Sequence, residues 1–133
     1  MAASIPPDAR DLFDATTFAH VATVNDDGSP QTTPVWVERD GDDVLLNTAQ
    51  GRLKHRNLVR DPRVALSITD PHDGYRYIQV RGRAQLTDDP DAAHISRLSR
   101  KYLGRDYPFL QPGEQRVTIR IRPESVDYHK PRR

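Results

Sequence analysis

The stretch GRLKHRNLVRDPRVALSI, residues 51–68, joins a short basic helix to the strand that follows it. Its apolar residues recur at near-helical spacing until Pro62, which predicts a helix over residues 52–61. Beyond the proline, apolar and polar residues alternate, and this alternation predicts a strand over residues 63–70. The other predicted elements can be placed on either side of this helix–strand unit.

Basic residues dominate this segment, and Asp61 is the one carboxylate among them. They are Arg52, Lys54, Arg56, Arg60 and Arg63. Free backbone N–H groups at a helix N-terminus, together with nearby Arg and Lys side chains, form a natural site for phosphate or carboxylate. A solvated basic face on a surface helix would have the same composition. The spacing alone therefore leaves both interpretations open.

Alternating apolar residues bounded by turn residues indicate strands in most of the chain. Strands are predicted over residues 18–25, 31–38, 44–48, 63–70, 75–88 and 116–130. Short helices are predicted over residues 8–14, 52–61 and 90–103. The N-terminal half is expected to open as an antiparallel meander, and Gly82 marks a bulge or bend in the long strand. The fold class is mostly β with short α-helices, a small closed or split barrel in a single domain, residues 1–133.

Composition excludes several classes of function. Lys plus Arg number 20 against 19 for Asp plus Glu, so bulk electrostatics do not favour nucleic-acid binding. No stretch approaches the roughly 20 apolar residues of a membrane span, and no signal pattern begins the chain, so we expect a cytoplasmic protein without a membrane partner. Hydrophobic residues make up only 35% of the chain, which suggests that apolar surface is shared with a second copy.

Motifs for metal or nucleophilic catalysis are missing from the sequence. There is no cysteine, and the five histidines show no ligand spacing, so no metal site is predicted. The sequence has no GxSxG, P-loop or GxGxxG motif. Trp36 is a second candidate feature, in addition to the basic helix. It is the only tryptophan and follows Pro34 by two residues. Such a tryptophan is either a core residue or a platform for a cofactor ring.

Four segments resemble one family when they are taken in order: TPVWV (33–37), VLLNT (44–48), the stretch 51–68 and YIQVRGRAQL (77–86). They resemble the pyridoxamine-phosphate-oxidase-like split-barrel flavoproteins. Within that family the RLKHRNLVRDPRV string is most similar to the branch that uses coenzyme F420, a deazaflavin with a phosphodiester and a polyglutamate tail. The resemblance implies an FMN-binding-like split β-barrel that forms a homodimer, with the cofactor sites at the subunit interface.

The resemblance also implies roles for individual residues. Arg52 and Lys54 match the phosphate-binding pair of the family, and Arg56 lies one step further along the helix toward the anionic tail. Asn47 and Thr48 match the strand end beneath the ring and ribityl chain.

Two further segments match the part of the family's site that surrounds the ring. The backbone that lines the ring is matched by Thr33, Pro34, Val35 and Trp36. Gln79 matches a glutamine that the partner subunit donates, and Tyr77 neighbours it on the same strand face.

The implied function is an F420-dependent reductase that transfers a hydride from the reduced deazaflavin to a conjugated or unsaturated small molecule. No obligatory catalytic side chain is expected, because the cofactor carries the chemistry. The chain has no counterpart of the C-terminal extension of true pyridoxamine phosphate oxidases, which argues against vitamin B6 oxidation. Two alternatives remain: an FMN-binding oxidoreductase of the same family, and a non-catalytic protein that binds F420, haem or another tetrapyrrole.

Overall fold

Seven antiparallel strands form one sheet in the computed structural model, which describes residues 2–131. The strands are β1 (Ala19–Val24), β2 (Pro30–Val35), β3 (Glu38–Asp40), β4 (Asp43–Ala49), β5 (Arg63–Asp70), β6 (Asp73–Asp88) and β7 (Arg116–His129). The helices are α1 (Asp11–Asp14), α2 (Leu53–Arg60) and α3 (Ala93–Leu103), with 3-10 turns at Pro7–Ala9 and Pro90–Ala92. The strand order is β2-β1-β5-β6-β7-β4-β3. The prediction of a mostly β domain with short helices is confirmed.

The core forms along the inward faces of the strands. β1, β5 and β7 bury alternate residues over much of their length, whereas β4 is buried continuously from Val44 to Ala49. Leu12 and Phe13 of α1 add side chains that are 1% and 0% exposed. Because each fully buried side chain of this kind stabilises the fold by roughly 1.5–3 kcal/mol, β4 is held firmly where it ends beside α2.

Gly82 lies at the bend that the sequence predicts in the long strand. The β6–β7 register shifts between Arg81 and Gly82. A Cβ atom at Gly82 would lie 2.6 Å from the Arg122 carbonyl oxygen, which is closer than two such atoms can approach. Glycine is therefore required there, where β6 pairs on one side with β5, Gly82 opposite Val64, and on the other side with β7, Gly82 opposite Pro123.

The strand predicted over residues 31–38 is confirmed as far as Val35 and wrong beyond it, because Trp36 and Val37 separate β2 from β3. The Val37 N–H donates to Tyr102 Oη at 3.0 Å, and the Val37 carbonyl accepts from Lys101 Nζ at 2.6 Å. Side chains of α3 thus take hydrogen bonds that a neighbouring strand would otherwise make. The chain turns here, and this turn places Trp36 beside α3.

The predicted N-terminal meander is also wrong. β1 pairs with β2 and β3 pairs with β4, but these two hairpins end at opposite edges of the sheet order. The second neighbour of β4 is β7, which pairs with it from Val44 to Ala49. Local alternation predicted most of the strands, whereas the partners of β4 depend on the long-range pairing with β7.

Candidate functional site

A cleft of about 250 Å³ opens between the β2–β3 junction, the end of β4 and the start of α2. α3, the loop after it and the first residue of β7 complete the cleft. It is lined by Phe18, Pro34, Val35, Trp36, Asn47, Thr48, Arg52, Lys54, Ile95, Leu98, Tyr107, Phe109 and Arg116. No carboxylate belongs to this described lining. Its lining has two chemically different groups of side chains, which we call the cationic end (Arg52, Lys54 and Arg116) and the aromatic end (Phe18, Trp36, Tyr107 and Phe109). The two groups meet where the Arg116 guanidinium packs against the Tyr107 ring.

The N-terminus of α2 forms part of the cationic end. Arg52 is its N-cap residue, with extended backbone dihedrals, and no side chain caps the helix. The first backbone N–H groups of an α-helix have no partner within the helix. His55 does not cap them either, because its Nδ1 accepts a hydrogen bond from the Gly51 N–H at 3.1 Å. These donors and the helix dipole favour an anion at this position.

Lys54 is half-buried, whereas Arg52, two residues before it, is exposed. Neither residue forms an ion pair with any part of the chain between residues 2 and 131. Burial of Lys54, followed by the positive charges of Arg52 and Arg116, lowers its pKa to about 8. The cationic end therefore has positive charge that the chain itself does not neutralise.

Arg116 was missed as a site residue by the sequence interpretation. It begins β7 and is only 6% exposed. Its Nε donates to Asn47 Oδ1 at 2.9 Å, its Nη1 to Glu114 Oε2 at 3.0 Å, and its guanidinium lies 5.0 Å from the centre of the Tyr107 ring. The alternating arginines of residues 116–122 were visible in the sequence, but alternation does not show which of them is buried beside a distant cleft.

Asn47 is the centre of a buried hydrogen-bond network under the cationic end. Because its Oδ1 accepts from Arg116, its Nδ2 is assigned as donor to Asp89 Oδ2 at 3.1 Å and to His94 Nδ1 at 3.0 Å. His94 then carries its proton on Nε2 and donates it toward Glu38 Oε1 at 3.0 Å. Asn47 therefore holds Arg116 in place with its side chain.

Glu38 closes the network at the surface. Its burial acts to raise the carboxyl pKa, but hydrogen bonds from His94 and Arg97 outweigh this effect and lower the pKa to about 2. Asp89 anchors the other side, because its carboxylate accepts the backbone N–H groups of His94 and Ile95 and so caps α3. The network ties the cleft floor to the start of α3.

The aromatic end is built around Trp36. Its ring stacks on Tyr102, with 5.1 Å between ring centres, and meets the edge of Tyr107 at 6.3 Å. Tyr107 in turn contacts Phe109 at 5.7 Å. Phe18 and Phe109 are 52% and 55% exposed, which leaves apolar ring surface open to a ligand.

Some residues of the predicted site lie outside this cleft. Thr33 is on β2, and its hydroxyl is buried without a hydrogen-bond partner among residues 2–131. Arg56 is exposed on α2 and lines a different depression. Tyr77 and Gln79 lie on β6, where Tyr77 stacks on His129 at 4.6 Å and Gln79 is exposed. Within one chain, the cleft brings together Pro34, Val35, Trp36, Asn47, Thr48, Arg52 and Lys54.

Residues 2–131 contain neither a metal-binding cluster nor a membrane-crossing helix. No group of three or more His, Asp or Glu side chains in this part of the chain is arranged to hold a metal ion. None of its helices has the length and apolar character needed to cross a membrane.

The sequence model of a known family covers nearly the whole chain, with residues 5–130 matching the one described as pyridoxamine 5'-phosphate oxidase. The chain belongs to the pyridoxamine 5'-phosphate oxidase family. This assignment confirms the split β-barrel that the resemblance implied.

Solved structures agree with this family assignment. An F420 reductase is 33% identical with a TM-score of 0.81, and the match covers 92% of this chain and 98% of the other. Atu2129 of Agrobacterium tumefaciens is 26% identical with a TM-score of 0.69, over 92% of this chain and 55% of its own. The conserved hypothetical protein Rv2991 of Mycobacterium tuberculosis, at 23% identity and a TM-score of 0.77, shares the fold over 96% of this chain and 86% of its own.

Proposed function

We propose that the protein is an F420-dependent reductase that transfers a hydride from reduced deazaflavin to a conjugated or unsaturated small molecule. The observation that carries this proposal is the cleft itself, in which an unneutralised cationic end adjoins an aromatic end. The identity of 33% with an F420 reductase over 92% of the chain supports the deazaflavin over other cofactors of the family.

The residues present fit such a cofactor. Arg52, Lys54 and the free N–H groups of α2 would hold its phosphodiester, and Arg56 lies beyond them on the same helix for the anionic tail. The ring system would lie along Pro34, Val35 and Trp36. When bound in its reduced form, the deazaflavin supplies the hydride from its ring C5.

The chain contributes binding, orientation and exclusion of water. The described lining of the cleft contains no Asp, Glu or His, so it offers no acid–base pair. The Tyr107 hydroxyl, which has no hydrogen-bond partner within residues 2–131, or a water molecule would supply a proton where the acceptor requires one. Holding donor and acceptor in the reactive geometry then accounts for much of the rate.

We also infer that the active form is a homodimer. Gln79 and Tyr77 lie on β6 and do not line the cleft of their own chain. Their proposed role in cofactor binding therefore requires that the second copy present them to the cleft. This geometry would be consistent with the low hydrophobic content of 35%.

The first experiment is a pair of titrations of purified protein with F420 and with FMN, followed by the fluorescence of each ligand. We expect saturable, salt-sensitive F420 binding with a Kd below about 100 µM, roughly −5.5 kcal/mol, and weaker FMN binding. Reduced F420 should then be oxidised on addition of a quinone or an enone. Tighter FMN binding would assign an FMN-dependent oxidoreductase instead, and stoichiometric F420 binding without turnover of any acceptor would leave a non-catalytic F420-binding protein.

A further inference from the structure

We propose that Arg116 is a direct ligand of the bound anion, which makes the cationic end a site for a group with two negative charges. Such a group is a phosphate monoester, or a phosphodiester with a neighbouring carboxylate. The proposal deepens the proposed function and rests on it for the identity of the cofactor, although the anion site can be tested without any cofactor.

The hydrogen bonds of Arg116 leave one edge of its guanidinium unused. Nε is taken by Asn47 and Nη1 by Glu114, whereas Nη2 has no partner within residues 2–131. The side-chain donors of this part of the chain that are sealed and unpartnered do not include Nη2, so solvent reaches it. A charged donor that solvent reaches can exchange its water for an anion oxygen without breaking a hydrogen bond to the protein.

The free edge is assigned to the cleft. Arg116 lines the cleft with Lys54, and its charge is one of the causes that lower the Lys54 pKa. It also lines the neighbouring depression beside the 3-10 turn Pro90–Ala92, and Glu114, which takes Nη1, lines that depression but not the cleft. We therefore assign Nη1 to the Glu114 carboxylate and Nη2 to the cationic end.

The guanidinium is also held in advance of binding. Asn47 is itself fixed by Asp89 and His94, and the Tyr107 ring packs against the guanidinium at 5.0 Å. A planar arginine fixed in this way loses little freedom when it binds an oxyanion.

The charges of the cationic end account for the number of negative charges that we assign to the ligand. Glu114 neutralises Arg116, and Arg52 and Lys54 have no carboxylate partner within residues 2–131. Two positive charges therefore remain to be balanced by the ligand. A single Arg–Lys pair without Arg116 would supply the same charge but lack the additional charged donor, Nη2, that is held in a fixed position.

The test compares ligands with and without the phosphate group: FMN with riboflavin, and F420 with the deazaflavin that lacks the phosphodiester and the tail. We expect Arg116→Lys to weaken binding of the phosphorylated ligands about 10- to 100-fold. The affinity of the phosphate-free ligands should change less than about twofold. Glu114→Gln, which removes the competing negative charge, is expected to act in the opposite direction and tighten the phosphorylated ligands about threefold. Arg122→Ala, an exposed charge outside the cleft, is the matched control and should change neither class.

Calorimetry with inorganic pyrophosphate separates this proposal from the proposed function. Pyrophosphate should bind the wild-type protein, and Arg116→Lys should weaken it, even if neither F420 nor FMN binds. The proposal is overturned if Arg116→Lys lowers the affinity for phosphate-free and phosphorylated ligands alike, since that result would indicate a purely structural role for Arg116. It is equally overturned if pyrophosphate binding is absent or unaffected in a variant whose circular dichroism matches the wild type.

Discussion

The cationic and aromatic ends of the cleft differ in how the chain assembles them. Arg52 and Lys54 are sequence neighbours at a helix that directly follows the firmly buried β4, and the Asn47 network beneath them holds the distant Arg116. The aromatic end combines single residues far apart in sequence, from Phe18 to Phe109, and these two rings are half-exposed. We therefore expect the cationic end to provide affinity for the anionic part of the cofactor, and the two half-exposed rings to select the acceptor.

The largest effect is expected from removing the network that supports the cationic end. Asn47→Leu leaves Arg116 Nε, Asp89 and His94 without their amide partner, so the free energy of unfolding should fall by about 3 kcal/mol. Urea denaturation measures this free energy of unfolding. Thr118→Val, which removes a single contact to His94 at 3.0 Å, should cost only about 1 kcal/mol. Equal effects of the two variants would show that Asn47 is not the centre of the network.

Removing the charges of the cationic end should affect binding and leave folding intact. Lys54→Ala and Arg52→Ala should each weaken binding of the phosphorylated cofactor by about 1–3 kcal/mol, because each loses a charge-assisted contact. The free energy of unfolding of Lys54→Ala should not fall, since its ammonium group is half-buried without an ion-pair partner in residues 2–131. Normal binding by both variants in fluorescence titrations would contradict the assignment of the anion site.

The pH dependence of binding should report on Lys54. Its pKa is about 8 in the free protein, and a bound anion raises it, because the protonated form is the one that attracts the anion. Affinity should therefore be full below pH 8, fall as the pH rises through 8, and level off above the pKa of the complex. Lys54→Arg stays charged throughout this range and should give a flat profile. A sloping profile for that variant would place the titrating group elsewhere.

Changes at the two half-exposed rings of the aromatic end should leave cofactor affinity almost unchanged. Phe18→Leu and Phe109→Leu each remove an aromatic contact of about 0.5–1.5 kcal/mol, so we expect the acceptor KM to rise by up to about tenfold. Tyr75→Leu changes a tyrosine that is 80% exposed and outside the cleft, and it serves as the control. A large loss of cofactor affinity in Phe109→Leu would show that the two ends do not have separate roles.

The smallest effect tests whether a second copy completes the cleft. Gln79→Ala should weaken cofactor binding by about 1 kcal/mol if the partner subunit reaches the site, because one hydrogen bond is lost. Titration of this variant, alongside its molar mass in solution, measures both parts of the inference. Unchanged affinity in a dimeric variant would remove Gln79 from the site.

The sequence by itself determined most of the strands, the basic helix and the bend at Gly82. Each depends on local patterns, namely alternation, a proline that ends a helix, and a glycine in a strand. It also indicated Arg52, Lys54 and Trp36, because the residues of the family resemblance are contiguous in those segments. These features need no knowledge of which strands become neighbours.

Only the tertiary structure decided the pairing of β4 with β7, the break at Val37 and the burial of Arg116. Each depends on contacts between residues that are more than sixty positions apart, such as Asn47 with Arg116 and Val37 with Tyr102. Local alternation is the same for an arginine in solvent and for one held by a buried amide. The long-range pairing of strands decides which arginine is buried, because it alone determines which side chains meet at the cleft.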